Sequence, residues 1–312
     1  MKVNKRIVNI DGKGYRPSMV KYVICLISCL WFLLSASGEI RAQTGWPRVV
    51  PSADGTLISY EIYGAGEPTL VFVHGWSCDG RYWRAQTPHF AKKYRVVVVD
   101  LAGHGHSGTT RTRYTMGAFG EDVRAVTEVA IAGKVILIGH SMGGTVIAEA
   151  ARRMPDRVIG LIGVDTFQNI EHPLTRAEFE GMIAPLEKDF STGSKDFVGQ
   201  MFSPETDLRL RGWILSDMSA APPAIALSAM NEMMIQYLAG EAADVFKQVR
   251  VPVITVNGDL WPINYEANRR YMLSFDAIVL KDADHFLMMA RPEEFNRELQ
   301  KAIQMLLKNI AQ

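Results

Sequence analysis

The sequence predicts an α/β fold with a mostly parallel central sheet, flanking helices and a helical segment inserted between two strands. Short runs rich in valine and isoleucine recur along residues 46–312, and segments with helical spacing separate most of them. These runs are continuously apolar, which is typical of strands covered on both faces, as in parallel sheets. The 312 residues, 48% of them hydrophobic, suffice for one large domain with an insertion or for two small domains.

The first 37 residues are typical of a secretory signal peptide. A basic segment is followed by an apolar run at 22–34 and by the small residues Ser35, Ala36 and Ser37. The apolar run is short for a membrane span of about 20 residues, but an uncleaved signal anchor stays open. We therefore expect an exported protein, periplasmic or extracellular, with a leader that is either cleaved or kept as a membrane anchor.

The domain at 46–312 is predicted to contain eight strands, several helices and a helical lid. From Thr166 to about Val249 the strand–helix alternation stops, and a stretch rich in methionine and helix formers predicts a helical lid over about 167–249. We expect this lid to line an acyl pocket. Strands are predicted at 49–50, 57–63, 69–73, 95–99, 134–138, 158–164, 251–256 and 277–280, and helices at about 116–131, 145–153, 264–273 and from 292.

The stretch from Gly139 to Gly143 (GHSMG) has the form G-x-S-x-G and lies between a predicted strand and a predicted helix. Its glycines allow a sharp, strained turn that exposes the hydroxyl of Ser141 at the N-terminus of the helix. That end of a helix favours developing negative charge. The pattern therefore indicates that Ser141 is a nucleophile.

Four motifs together resemble the α/β-hydrolase fold family. HGW at 74–76, DLAGHGHSG at 100–108, GHSMGG at 139–144 and DADHFLMMARPEEF at 282–295 appear in the order of that family. The resemblance covers about 46–310. It implies a serine hydrolase whose triad follows the chain order nucleophile, acid, base, and an oxyanion hole formed by the backbone amides of Trp76 and Met142.

His285 is the candidate base. It follows the last predicted strand, in a segment similar to the G-x-G-H-F segment of the family, although Ala283 and Asp284 replace the usual lead. A serine hydroxyl is a weak nucleophile unless a base removes its proton, and an imidazole suits that task near neutral pH.

The acid departs from the family pattern. Most members carry an aspartate in a G-x-x-D-P arrangement after the seventh strand, but here Gly258 begins the text GDLWP and Trp261 occupies the acid position. Asp259 lies two residues earlier. Asp165, at the end of the preceding strand, matches the acid position of relatives such as haloalkane dehalogenases. We favour Asp165 to orient His285, and Asp259 stays open.

Composition argues against several kinds of partner and site. The net charge of +1 and the lack of a basic block argue against a nucleic-acid partner. Cys78 is the only cysteine after the leader, so no intramolecular disulfide is expected, and a buried thiol is its expected role. His104 and His106 lie in a loop without clustered ligands, so we expect no metal and no cofactor.

The sequence thus predicts an enzyme that cleaves an ester-like acyl bond of a small molecule through an acyl-enzyme. Lactone, thioester and C–C hydrolysis on the same fold stay open, because specificity lies in the lid. A catalytically silent ligand-binding protein of this fold is the alternative from another class.

Overall fold

The structure is a computed structural model that describes residues 46–310. The predicted signal peptide at residues 1–37 lies outside these described residues. Within them, no helix has the combination of length and hydropathy needed to cross a bilayer.

Eight strands form one sheet in the order β1-β2-β4-β3-β5-β6-β7-β8. The pairs β1–β2 and β2–β4 are antiparallel, and all other neighbours are parallel. The predicted strands are present with ends that differ by one or two residues, and the predicted fold class is confirmed. The strands are β1 (Arg48–Pro51), β2 (Leu57–Tyr63), β3 (Thr69–Val73), β4 (Val96–Val99), β5 (Val135–His140), β6 (Val158–Val164), β7 (Val253–Gly258) and β8 (Phe275–Leu280).

Helices connect and cover the strands. A single 3₁₀ turn, Gly80–Trp83, follows the loop after β3. The α-helices are α1 (Thr87–Phe90), α2 (Met116–Ala130), α3 (Met142–Arg153), α4 (Arg176–Lys188), α5 (Phe190–Gly199), α6 (Leu208–Met218), α7 (Pro223–Leu238), α8 (Glu241–Phe246), α9 (Tyr265–Tyr271), α10 (Leu287–Ala290) and α11 (Pro292–Ile310).

The central strands form the core because every residue of β3, β4 and β5 is buried. Their β-branched side chains suit a sheet that is covered on both faces. Helix α11 packs against β6, β7 and β8. It does so through Leu299, Ala302, Ile303 and Leu306, which are fully buried and recur at the spacing of one helical face.

The predicted lid segment contains helices α4 to α8, between β6 and β7. Helix α7 is bonded to the rest of the domain near both of its ends. The Trp76 indole N–H donates to the Ala226 carbonyl at 2.7 Å, and the Gln236 amide donates to Glu149 on α3 at 2.9 Å. These buried bonds hold α7 against the turn after β3 and against Glu149 of α3.

Candidate active site

Ser141 occupies a strained turn between β5 and α3. Its φ of 53° and ψ of −120° lie outside the regions that a non-glycine residue ordinarily adopts. Its backbone N–H donates to the Val164 carbonyl at 3.0 Å, which ties the turn to β6. The turn also needs glycine on either side, because a Cβ at position 139 would lie 2.3 Å from the Gly143 carbonyl oxygen. The hydroxyl group is therefore held at the N-terminus of α3.

The turn after β3 lies directly beside Ser141. A Cβ at position 75 would lie 2.9 Å from Nδ1 of His140 and 3.2 Å from the Ser141 Cβ, so glycine allows this close approach. Trp76 follows that turn, and Met142 is the first residue of α3, whose N–H has no partner within the helix. Between residues 46 and 310, neither amide donates a hydrogen bond to another group of the chain. Both amides remain available to an oxygen atom bound at Ser141.

His285 is held through its backbone by the lid and by the nucleophile turn. Its N–H donates to the Met201 carbonyl at 3.1 Å, and its own carbonyl accepts from Nε2 of His140 at 2.9 Å. The neighbouring Asp284 is buried, and its carboxylate accepts from the Phe286 N–H at 2.8 Å and from the Thr206 hydroxyl. The backbone around the imidazole is fixed on both sides.

Asp165 contacts the imidazole of His285. Its Oδ2 lies 2.5 Å from Nδ1 of His285, and its Oδ1 accepts from the Gly258 N–H at 2.9 Å. The carboxylate is almost completely buried. A positive φ of 44° at Asp165 turns the side chain out of β6 toward His285. A carboxylate in this place orients the imidazole by accepting a hydrogen bond from Nδ1.

Asn257 supports the turn that carries Asp165. Its side-chain oxygen accepts from the Thr166 N–H at 3.3 Å, and its side-chain nitrogen donates to the Thr166 carbonyl at 3.0 Å. Asn257 lies on β7 and is fully buried. The end of β7 therefore supports the turn that follows β6.

Asp259, the other candidate acid, does not contact His285. The chain turns outward after Gly258, and the Asp259 side chain is exposed. Its carboxylate accepts from the Ala283 N–H at 3.3 Å, and backbone hydrogen bonds, first that of Asp282, lower its pKa. Of the two candidate acids, Asp165, which the sequence favours, is therefore the one that contacts the imidazole.

Three other histidines of the family motifs are buried behind the site. Nε2 of His74 accepts a hydrogen bond from the Leu101 N–H at 3.0 Å. Nδ1 of the same ring donates to the Gly75 carbonyl at 2.8 Å. Burial lowers the pKa of His74, His104 and His140 below its ordinary value, to about 3 for His104. These rings are neutral, buried side chains that support the loops around the site. Cys78 is also buried, and burial raises the pKa of its thiol, as expected of a cysteine without a nucleophilic role.

A cavity of about 880 Å³ opens onto Ser141, Met142, Asp165 and His285. The Trp261 indole, at the position of the usual family acid, meets the His285 ring edge-on, with 5.6 Å between centroids. The lid contributes apolar and polar walls. The lining residues from the lid and the adjoining loops include Leu174, Met182, Met233, Met234, Tyr237 and Ile263, and α3 contributes Thr145.

The sequence interpretation missed Tyr237 and His172, which line this cavity. A signal for Tyr237 was present, because it follows Met233 and Met234 by four and three residues and so shares their helical face. No comparable signal marks His172. Among residues 46–310, no three histidine, cysteine or carboxylate side chains are grouped so as to hold a metal ion.

Similar known proteins identify the family of this chain. The alpha/beta hydrolase family matches residues 70–298. Pimeloyl-[acyl-carrier protein] methyl ester esterase of Aeromonas hydrophila is 28% identical over 258 residues, which are 76% of this chain and 96% of the relative.

Two solved structures show the same fold. An esterase from Exiguobacterium antarcticum superposes with a TM-score of 0.71 at 21% identity, over 83% of this chain and 100% of that chain. The enol-lactonase of Burkholderia xenovorans gives a TM-score of 0.69 at 18% identity, over 82% of this chain and 100% of that chain. The resemblance inferred from the motifs is confirmed, and this chain belongs to the alpha/beta hydrolase family of enzymes.

Proposed function

We propose that this enzyme is a serine hydrolase that cleaves an ester-like acyl bond through an acyl-enzyme. The observation that carries the proposal is the buried pair of His285 and Asp165, 2.5 Å apart, in the cavity that Ser141 lines. Packing alone does not explain why a buried imidazole–carboxylate pair and a serine with a strained backbone line the same cavity. Strain and pairing at one site are typical of a nucleophile and its base.

The reaction begins when the Ser141 hydroxyl attacks the carbonyl carbon of the substrate. Nε2 of His285 takes the hydroxyl proton, and Asp165 stabilises the imidazolium that forms. The amides of Trp76 and Met142 donate to the oxyanion, and each such donor contributes about 3 kcal/mol in the transition state. The imidazolium then protonates the leaving oxygen, and the alcohol departs.

Deacylation repeats these steps with water in place of serine. His285 takes a proton from the water as it attacks the acyl-enzyme, and the same amides hold the second oxyanion. The imidazolium returns the proton to Ser141, and the free acid leaves. The relative from Aeromonas hydrophila, named as a methyl ester esterase, supports the choice of an ester-like bond.

The proposal is tested by hydrolysis of p-nitrophenyl esters across acyl lengths and by labelling with a fluorophosphonate probe. Ser141→Ala and His285→Ala should each lower kcat by at least about three orders of magnitude, and Ser141→Ala should abolish labelling. Ser216→Ala and His89→Ala are matched controls, because both side chains are exposed and far from the cavity lining. Neither control should change the rate.

Two results would overturn the proposal. Failure of the wild type to hydrolyse any ester and to react with the probe would favour a silent ligand-binding protein. Full ester hydrolysis by Ser141→Ala would exclude the acyl-enzyme. Rates on lactones and thioesters, measured with the same variants, then decide which acyl bond the enzyme prefers.

A further inference from the structure

Two residues with hydroxyl groups line the cavity near Ser141. Thr145 lies on α3 one helical turn after Ser141, and Tyr237 lies near the end of lid helix α7. Both residues line the cavity. Burial raises the pKa of Tyr237, and hydrogen bonding to the Thr145 hydroxyl opposes that rise.

The two hydroxyl groups are not engaged in hydrogen bonds elsewhere within residues 46–310. Apart from their mutual approach, no group of the described chain hydrogen-bonds to the hydroxyl of Thr145 or Tyr237. Both side chains line the cavity and Tyr237 is only half-buried, so the two hydroxyls are accessible to a ligand there. A ligand oxygen in the cavity would complete the pair.

The pair is also held rigidly. Gln236, the residue before Tyr237, donates to the buried carboxylate of Glu149, which lies one turn after Thr145 on α3. This bond sets the register of α7 on α3 beside the two hydroxyls. A backbone held in this way lowers the entropy cost of ordering the site when a ligand binds.

We propose that Thr145 and Tyr237 form a subsite for an oxygen substituent on the acyl chain, so that the preferred substrates are esters of hydroxy or oxo acids. This assignment rests on the proposed hydrolase function, because it takes Ser141 as the attachment point. A rise of about 1.5 Å per residue places Thr145 about 6 Å along α3 from Ser141. A substituent at roughly the third or fourth acyl carbon reaches the pair with hydrogen-bond geometry.

The remaining walls fit the rest of such a substrate. Met233 and Met234 share the helical face of Tyr237 and supply apolar surface for the acyl chain. The leaving alcohol lies beside His285, which returns the proton to it, and there Trp261 forms the wall. The pair on α3 and α7 is accordingly assigned to the acyl side.

The test compares methyl hexanoate, methyl 3-hydroxyhexanoate and 2-hydroxyethyl hexanoate. Wild type should show a kcat/KM for the 3-hydroxy ester about three- to tenfold above that for methyl hexanoate. Tyr237→Phe and Thr145→Val should bring this ratio close to one. Tyr63→Phe, which removes a hydroxyl from β2 outside the cavity lining, should keep the wild-type ratio.

A binding measurement separates this subsite from the hydrolase proposal. Calorimetry with Ser141→Ala should give tighter binding of the 3-hydroxy ester, and Ser141→Ala combined with Tyr237→Phe should lose the difference. A ratio unchanged in Tyr237→Phe, or a preference for the hydroxyl on the alcohol side, overturns the subsite while the hydrolase stands. If no ester is turned over, equal binding of the two methyl esters overturns the subsite independently.

Discussion

The carboxylate of Asp165 lies 2.5 Å from Nδ1 of His285, although 120 residues separate them in the chain. The contact forms because Asp165, the residue that follows β6, has a positive φ and because the N–H of Gly258, at the end of β7, donates to the second carboxylate oxygen. Two adjacent parallel strands therefore determine the orientation of one imidazole.

The first prediction concerns this carboxylate. Asp165→Asn keeps the shape of the side chain but no longer stabilises the imidazolium or enforces the proton on Nδ1. We expect kcat for ester hydrolysis to fall by about three to four orders of magnitude. Steady-state kinetics, with circular dichroism to verify folding, measure the effect.

Asp259→Asn is the matched control for that prediction. Its carboxylate is exposed and accepts only backbone N–H groups of the neighbouring loop. We expect its rate to stay within about twofold of wild type, since surface substitutions of this kind are close to neutral. A severe loss in Asp259→Asn with little change in Asp165→Asn would reverse the assignment.

The strands were predictable because their residue types indicate burial on both faces of the sheet. The runs at β3, β4 and β5 are continuously β-branched or aliphatic, and every one of those residues is buried. The nucleophile turn was predictable for a related reason, because glycine at 139 and 143 is required by contacts as short as 2.3 Å. Local sequence and tertiary packing agree at these positions.

The partner of His285 was not decided by the sequence. Asp165 and Asp259 follow neighbouring parallel strands, β6 and β7, at the same edge of the sheet. They differ in the direction of the turn that follows each strand, and no residue pattern announces a positive φ at an aspartate. The lid residues that line the cavity could not be predicted for a similar reason. Which of them face Ser141 depends on how α7 packs on α3.

The second prediction concerns Asn257, which holds Thr166 beside the acid. Asn257→Ala leaves the buried N–H of Thr166 without its partner and leaves the Thr166 carbonyl with only the Thr255 hydroxyl. We expect a loss of about 2 kcal/mol in the free energy of unfolding, together with a lower kcat. Urea denaturation measures the first effect and ester hydrolysis the second.

Gln248→Ala is a control for Asn257, because that side chain is exposed and should change stability by less than about 0.5 kcal/mol. Unaltered stability in Asn257→Ala would show that the bonds to Thr166 are not needed to hold the turn. Lower stability with an unchanged kcat would separate folding from the placement of Asp165.

The third prediction concerns export, which we propose from the leader sequence. Residues 1–45, fused to an alkaline phosphatase without its own signal, should direct active enzyme outside the cytoplasm of a bacterial host. Ile27→Arg combined with Leu30→Arg interrupts the apolar run and should abolish reporter activity. An inactive wild-type fusion, or cell-derived protein that still begins at Met1 and stays in the cytoplasm, would contradict export.

The last prediction concerns stability in acid. His104 is buried, with its Nδ1 on the Ala102 carbonyl at 2.9 Å and its ring 5.0 Å from that of His74. Burial, assisted by the neighbouring His74, lowers its pKa to about 3. In the unfolded chain a histidine has a pKa of about 6.5.

Between these two pKa values the unfolded chain binds a proton that the native protein does not bind. The contribution of His104 to stability is therefore complete above pH ~6.5 and falls by about 1.4 kcal/mol per unit as the pH decreases toward the native pKa. We expect wild type to lose about 2 kcal/mol more than His104→Gln between pH 7.5 and 5. Urea unfolding at both pH values measures the difference, independently of any stability change that the substitution itself causes. Equal losses in the two proteins, or an NMR titration showing His104 protonated near pH 6 in the folded enzyme, would contradict a neutral buried ring.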